Sequence, residues 1–129
     1  MGVGWQRLCI LIIVVCSMNS APIYPEDQNA QTSLNFAVKS FNFFSKDDQL
    51  FKISKIVNSQ VKDLGGLLYL FDIELSKTVC RKKTAVNLAT CPTDNSEGGA
   101  KELLCHFEVL FTFWRDERTL LKSSCNPAK

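Results

Sequence analysis

The side chains with the greatest chemical capacity in this sequence are six cysteines and a single histidine. Two of the cysteines lie in the apolar N-terminal segment, and the other four are Cys80, Cys91, Cys105 and Cys125. In a small chain that reaches an oxidising compartment, such cysteines form stabilising disulfides. Their spacing alone leaves three pairings open. Sequential pairing needs only one hairpin-like excursion per bond, so we predict the disulfides Cys80–Cys91 and Cys105–Cys125.

The remaining reactive side chains do not form a recognisable catalytic or metal-binding arrangement. His106 has no second ligand at a suitable spacing, so a metal site is not expected there. Cys105 and His106 cannot act as a nucleophile and its base, because a bridged sulfur is not a thiolate and neighbouring strand residues point to opposite faces. Asp72 and Glu74 share one strand face, which we interpret as solvated. The sequence therefore predicts no catalytic residue, no metal and no cofactor.

The N-terminal segment has the features of a signal peptide. Arg7 precedes an apolar run at residues 8–16, and small residues follow that run. These nine apolar residues are about half of the roughly 20 that a membrane-spanning helix needs. We therefore expect a leader of about residues 1–20 to be cleaved, after Ser17 or after Ser20, and residues 21–129 to form a single secreted domain.

One stretch, residues 31–44, has helical periodicity. Its apolar residues recur at the spacing that places them on one helical face, and they are Leu34, Ala37, Val38, Phe41 and Phe44. Thr32 and Asn29 are both suitable caps for its start, and residues 45–48 form a natural stop. The preceding residues 21–29 contain two prolines and little periodicity. We expect them to form an extended, mobile arm.

Four other stretches have the composition or the alternation of β-strands. They are residues 51–61, 67–76, 104–113 and 120–125. A glycine-containing bend at 62–66, a long irregular connection at 81–100 and a polar turn at 115–117 separate them. Packing one face of such a sheet on the helix is the economical way to bury both apolar surfaces. We therefore predict an α+β fold in which an antiparallel sheet of four to five strands wraps around one helix, held by two disulfides.

Several motifs resemble those of the secreted type 2 cystatins, and together they cover nearly all of residues 21–129. The matching pieces are LNFAV at 34–38 with Phe41 and Asn42, YLFDIEL at 69–75 with Thr78, TCP at 90–92, CHFEV at 105–109, Trp114, and LLKSSC at 120–125. The resemblance implies a protein that binds papain-like cysteine proteases, such as cathepsins, without chemistry of its own. In that family the binding wedge consists of an N-terminal arm with a glycine, a first hairpin loop of the form Gln-x-Val-x-Gly, and a second hairpin loop carrying Pro-Trp.

This sequence departs from the family's wedge in all three segments. The site residues that the resemblance assigns are Lys62, Asp63, Leu64, Gly65, Gly66, Phe113 and Trp114. Gly66 matches the first motif, whereas Lys62 replaces its Gln and Leu64 replaces its Val. Phe113 replaces the rigid proline of the second loop, and the arm contains no glycine. Because a charged lysine is costly to desolvate in a cleft, we expect weak, narrow or absent inhibition.

Two other function classes compete with the inhibitor hypothesis. A secreted binding or regulatory module, reproductive or antimicrobial, would keep the scaffold and tolerate charges at residues 62–66. A disulfide-linked growth factor would explain the cysteines but not the helix, the bend and Trp114. An enzyme is the least expected class.

The composition also limits the partners. Once Arg7 has left with the leader, 14 basic residues remain against 13 acidic ones, so nucleic acid and membrane surfaces are not expected to bind.

The first loop has Leu64 in place of a β-branched residue and an extra glycine beside it, and both changes should ease strain in the loop. We therefore expect a monomer that does not exchange its strands with a second copy.

Overall fold

The computed structural model describes residues 21–22, 27–83, 87–98 and 101–128. Within these residues, one α-helix, α1 (Gln28–Phe44), packs on an antiparallel sheet of five strands that follow one another in sequence order. The strands are β1 (Ala21–Pro22), β2 (Gln49–Asp63), β3 (Leu67–Arg81), β4 (Glu102–Thr112) and β5 (Glu117–Pro127), and a short 3-10 helix (Leu88–Thr90) lies in the long connection. The predicted fold class and the predicted order of elements are confirmed.

The core lies between the apolar face of α1 and the inner faces of β3 and β4. Alternate residues of the two strands are buried there, namely Tyr69, Phe71, Ile73 and Leu75 on β3 and Cys105, Phe107, Val109 and Phe111 on β4. The helix contributes Ala30, Leu34, Ala37 and Val38. The periods of two and of 3.6 residues therefore identified most of the buried residues correctly. Phe44 is the exception, because the helical pattern placed it on the buried face and it is 78% exposed. In the part of the chain that the structure describes, no helix is long and apolar enough to cross a membrane.

The start of the helix differs from the prediction. Asp27 is the N-cap, and its Oδ1 accepts hydrogen bonds from the backbone N–H groups of Asn29 at 3.0 Å and Ala30 at 3.2 Å. The helix therefore begins before residue 31, and neither Thr32 nor Asn29 caps it. The end agrees with the prediction, because Ser45 is the C-cap.

The two described ends of the predicted arm both carry regular secondary structure. Ala21 and Pro22 pair with Val61 and Gln60, so the arm adds a two-residue edge strand to the sheet. At the other end of the predicted arm, residues 28 and 29 already belong to α1. Residues 23–26 and the predicted signal peptide at residues 1–20 lie outside the described residues.

Strand boundaries also move at both hairpins. Lys62 and Asp63 belong to β2, so the predicted bend at 62–66 contracts to the three residues 64–66. Phe113 leaves the predicted strand and joins a turn at 113–116, and β5 begins earlier than predicted, at Glu117. The blurred alternation of residues 51–61 has a physical cause, because β2 changes register against β3 between Ile53 and Lys55 and again between Ile56 and Asn58.

Both disulfides pair as predicted. Cys105 and Cys125 are direct neighbours across β4 and β5, with their Cα atoms 4.1 Å apart. Cys80 and Cys91 connect the end of β3 to the long connection, with a Cα separation of 5.9 Å. The two bonds therefore restrain the last strand pair and the longest irregular segment.

Asn42 joins the last turn of the helix to the first residues of β2. Its Nδ2 donates to the carbonyl oxygen of Phe51 at 2.9 Å, and its Oδ1 accepts from the backbone N–H of Phe51, also at 2.9 Å. Asn42 is buried, so this amide pair replaces the strand neighbour that the outer edge of β2 lacks at this point. The helix end is thereby fixed against the sheet.

Replacing Asn42 with alanine is predicted to lower the free energy of unfolding by about 2 to 4 kcal/mol, because both backbone groups of Phe51 lose their partner in a buried environment. Urea denaturation measures this change. Asn35→Ala is the matched control, since Asn35 is exposed on the same helix. Equal stability of the two variants would contradict the role of this amide pair.

Candidate functional site

Three chain segments meet at one end of the sheet. The first turn, residues 64–66, joins β2 to β3, and the second, residues 113–116, joins β4 to β5. The sheet register places Asp63 opposite Leu67 and Leu67 opposite Phe111, so the two turns lie side by side. β1 pairs with β2 at Val61, just before the first turn. The residues that the sequence assigned to the two loops are therefore brought together at this edge.

The first turn is stabilised mainly by local hydrogen bonds. The Asp63 side chain accepts from the N–H of Gly65 at 3.2 Å, and the N–H of Leu64 donates to the carbonyl oxygen of Gly66 at 2.8 Å. Leu64 is 66% exposed at the apex. Lys62 is also exposed, but it lies in β2 opposite Leu68 and not in the turn. The apex of the first hairpin therefore presents an apolar side chain, and the lysine stands behind it.

The two glycines of this turn meet different constraints. Gly65 has a φ of +89°, a backbone conformation that side chains with a Cβ rarely adopt. Gly66 is buried, and a Cβ there would lie 3.1 Å from the carbonyl oxygen of Phe111 and 3.4 Å from Cδ1 of Leu110. Gly66 therefore sets the close approach of the first hairpin to β4, the strand that leads into the second hairpin.

The second turn exposes two aromatic side chains. Phe113 is 56% exposed and Trp114 is 61% exposed, and their rings meet edge to face with centroids 4.9 Å apart. The turn is closed by hydrogen bonds from the N–H of Arg115 to the carbonyl oxygen of Thr112 and from the N–H of Asp116 to that of Phe113. These bonds order the loop without the proline of the family motif.

Asp116 is a structural residue of this turn that the sequence reasoning missed. Its φ is 51°, in the left-handed region, and among the described residues it is the only one other than glycine with a positive φ. Asp and Asn tolerate this conformation better than other side chains with a Cβ. The signal in the sequence was weak, because a single Asp in a polar segment fits many turn types.

Charges at this edge are exposed and of both signs. Arg115 and Glu117 form an ion pair at 3.6 Å, and both side chains are more than half exposed. Within the described ranges, no group of three or more His, Cys, Asp and Glu side chains is arranged to hold a metal ion. The arrangement can therefore contact another macromolecule through apolar side chains framed by mixed charges.

His106 lies on the sheet face opposite α1, and it has partners that the sequence did not reveal. Its Nδ1 is 2.7 Å from Oδ1 of Asp72 on β3, and its Nε2 is 2.7 Å from Oε2 of Glu108 on β4. Lys122 on β5 is paired with Glu108 in the register, and Ser124 is paired with His106. Only the imidazolium can donate to both carboxylates. The hydrogen bond to Glu108 therefore raises the pKa of His106, partial burial opposes it, and Asp72 raises it further.

Comparisons with known proteins agree on one family. A model of the Cystatin domain matches residues 19–114. Cystatin-SN of Homo sapiens is 34% identical over 106 residues, which cover 80% of this chain and 74% of the relative. Cystatin-2 of Crotalus adamanteus is 35% identical over 101 residues, covering 78% and 74%. Among solved structures, dimeric human cystatin F superposes with a TM-score of 0.72 at 25% identity, covering 86% of this chain and 90% of the other.

The pKa shift of His106 makes a contribution to stability that depends on pH. Because the folded-state pKa is raised above 6.5, this contribution is complete below pH 6.5 and is lost as the pH rises through the folded-state pKa. His106→Gln should remove this dependence. The amount by which the parent exceeds the variant in free energy of unfolding should therefore be larger at pH 5.5 than at pH 9. Urea denaturation of tag-free protein measures it.

His106 is the only histidine, so NMR can follow its titration without assignment. Asp72→Asn and Glu108→Gln should each lower its pKa, whereas Ser124→Ala, on the neighbouring strand, should leave it unchanged. An imidazole that titrates at the same pH in all four proteins would contradict the ion-pair assignment.

Alanine substitutions at the glycines should separate the two constraints in the first hairpin. Gly65→Ala should cost about 1 to 2 kcal/mol of unfolding free energy through its positive φ. Gly66→Ala should cost about 1 to 3 kcal/mol, because the added methyl group displaces a backbone carbonyl. Gly98→Ala is the control for Gly65, since it also has a positive φ and open space but lies in the connection before β4. Parent-like stability of Gly66→Ala would show that the contact with Phe111 is not restrictive.

Proposed function

The chain belongs to the cystatin family, and we propose that it is a secreted, monomeric inhibitor of papain-like cysteine proteases, with weak or narrow activity. The observation that carries this proposal is the exposure of Leu64, Phe113 and Trp114 at the tips of two adjacent hairpins. Large apolar side chains held at the edge of a packed sheet are suited to enter a cleft on another protein. The proposed inhibitor acts by occupying that cleft and performs no turnover.

Both hairpin turns are held in a defined conformation, which fixes the positions of these side chains. Both turns are closed by backbone hydrogen bonds, and the ring of Phe113 supports that of Trp114. A preformed surface loses little conformational entropy on binding, and a tryptophan in a fully desolvated pocket is a frequent source of binding energy. Trp114 is therefore the residue that we expect to contribute most.

Three features support a reduced affinity. Lys62 carries an exposed charge directly beside the first turn, and burying it against a protease requires desolvation. Phe113 lacks the fixed φ of proline, so the second loop depends on its hydrogen bonds for order. The arm at residues 21–29 contains no glycine, and neither does the chain from there to Gln49. Inhibition should accordingly be limited to proteases whose clefts accommodate Lys62 in contact with solvent or with an acidic group.

One observation favours a second candidate, a secreted binding module that does not inhibit proteases. Phe43 and Phe44, at the C-terminal end of α1, are 76% and 78% exposed and meet edge to face at 5.0 Å. They lie outside both hairpins, so the inhibitor proposal gives them no role. A scaffold that binds through the helix end would leave the hairpins without function.

Titration against papain and cathepsins L and B separates the two candidates. The parent should inhibit at least one of them, and Trp114→Ala should weaken inhibition by about 30-fold or more, since hot-spot truncations cost roughly 2 kcal/mol or more. Lys62→Gln should strengthen it, because it removes the charge. Phe44→Ala is the control, because Phe44 is an even more exposed aromatic residue that lies outside the hairpins. The inhibitor proposal fails if neither the parent nor Lys62→Gln inhibits, or if Phe44→Ala weakens inhibition as much as Trp114→Ala.

A further inference from the structure

Arg118 connects the strand after the second hairpin to the helix. It is the second residue of β5 and pairs with Phe111 of β4 across the base of the turn. Its Cζ lies 4.0 Å from the centroid of the Phe111 ring, which is a close cation–π contact. Its Nε donates a hydrogen bond to Oγ of Ser33 on α1 at 2.8 Å. One side chain of β5 thus contacts both β4 and α1.

Both partners of Arg118 are buried. Ser33 is fully buried in α1, and Phe111 is 5% exposed. A guanidinium group is planar, so it can stack on an aromatic ring such as that of Phe111 and at the same time donate its Nε–H to a hydroxyl such as that of Ser33. A lysine or methionine in this position cannot reproduce both contacts. The geometry is therefore specific to arginine, although β5 is an edge strand in which many residues would be tolerated.

Phe111 is the point at which the two hairpins influence each other. Its carbonyl oxygen limits the approach of Gly66 from the first hairpin, while its ring is held by Arg118. The second turn starts two residues after Phe111, and its return strand passes through Arg118. The position of the Trp114 loop relative to Leu64 therefore depends on how firmly Phe111 and Arg118 are held together.

We infer that Arg118 is a positioning residue, which ties the base of the second hairpin to α1 and thereby orients Trp114 beside the first hairpin. Among the described residues, β5 pairs with one strand, β4, and its outer edge has no hydrogen-bonded neighbour that could restrain the loop. The contact with Ser33 supplies that restraint from the helix. As a contribution to protease binding, this role rests on the proposed function; as a restraint on Trp114, it does not.

The fluorescence of Trp114 tests this restraint directly. The sequence has two tryptophans, and Trp5 lies in the leader that we expect to be cleaved, so Trp114 is the single emitter of the secreted protein; Trp5→Phe gives the same single emitter where the leader is retained. Time-resolved anisotropy then reports the nanosecond motion of the loop. Arg118→Met, which keeps an unbranched side chain but removes the guanidinium, should increase the amplitude of that motion. Arg115→Met is the matched control, an exposed arginine in the same hairpin, and it should leave the motion unchanged.

Ser33→Ala removes only the hydrogen-bond acceptor and keeps the test informative if Arg118→Met does not fold. It should change the anisotropy in the same direction but less, because the contact of Arg118 with Phe111 remains. The double variant should match Arg118→Met alone, because Ser33 acts on the loop only through its bond to Arg118. Unchanged Trp114 motion in both Arg118→Met and Ser33→Ala would overturn the inference. So would an equal increase in Arg115→Met.

Protease titration of the same variants separates this inference from the proposed function. Arg118→Met should weaken inhibition by roughly fivefold to tenfold, the scale expected when a preformed contact becomes mobile. If Trp114→Ala weakens inhibition but a mobile Arg118→Met does not, the positioning role in binding is wrong. If neither the parent nor Lys62→Gln inhibits any protease, the proposed function fails, and the anisotropy alone decides whether Arg118 restrains Trp114.

Discussion

The close approach of Gly66 to the carbonyl oxygen of Phe111 determines how the hairpin end of this molecule is arranged. A Cβ at residue 66 would lie 3.1 Å from that oxygen, so any other residue there requires the Phe111 carbonyl to shift by a few tenths of an ångström. This approach brings the exposed side chains of Leu64 and Trp114 to one edge of the sheet. The proposed inhibitory surface depends on this backbone contact more than on any charge.

The helix fixes the sheet at two separate points. Asn42, in the last turn of α1, pairs with both backbone groups of Phe51 where β2 begins. Ser33, near the start of the helix, accepts from Arg118 where β5 begins. The disulfide Cys105–Cys125 restrains the same outer strand further along. The result is a sheet held along its length, with Leu64, Phe113 and Trp114 exposed at the two turns of one end.

The sequence was sufficient for features that depend on local periodicity. Alternation in β3 and β4 identified the buried face, and sequential pairing gave the correct disulfides. Cys105 and Cys125 face each other on neighbouring antiparallel strands, and the long connection brings Cys91 back to Cys80 at the end of β3. Side-chain contacts across neighbouring strands were not predictable: the pairing of His106 with Asp72 and the stacking of Arg118 on Phe111 depend on register, which only the folded sheet defines. The helix start was wrong because the capping residue, Asp27, follows a proline-rich segment without periodicity.

Amide hydrogen exchange on the complex tests the central claim, that the two hairpins together form the surface that binds a papain-like protease. Papain with its catalytic thiol capped by a small methylthio group is a suitable partner, because it cannot cleave the bound chain. On binding, we expect added protection in peptides spanning 62–68 and 111–118, and unchanged exchange at the C-terminal end of α1. Protection confined to the region of Phe43 and Phe44, with none in the hairpins, would contradict the account.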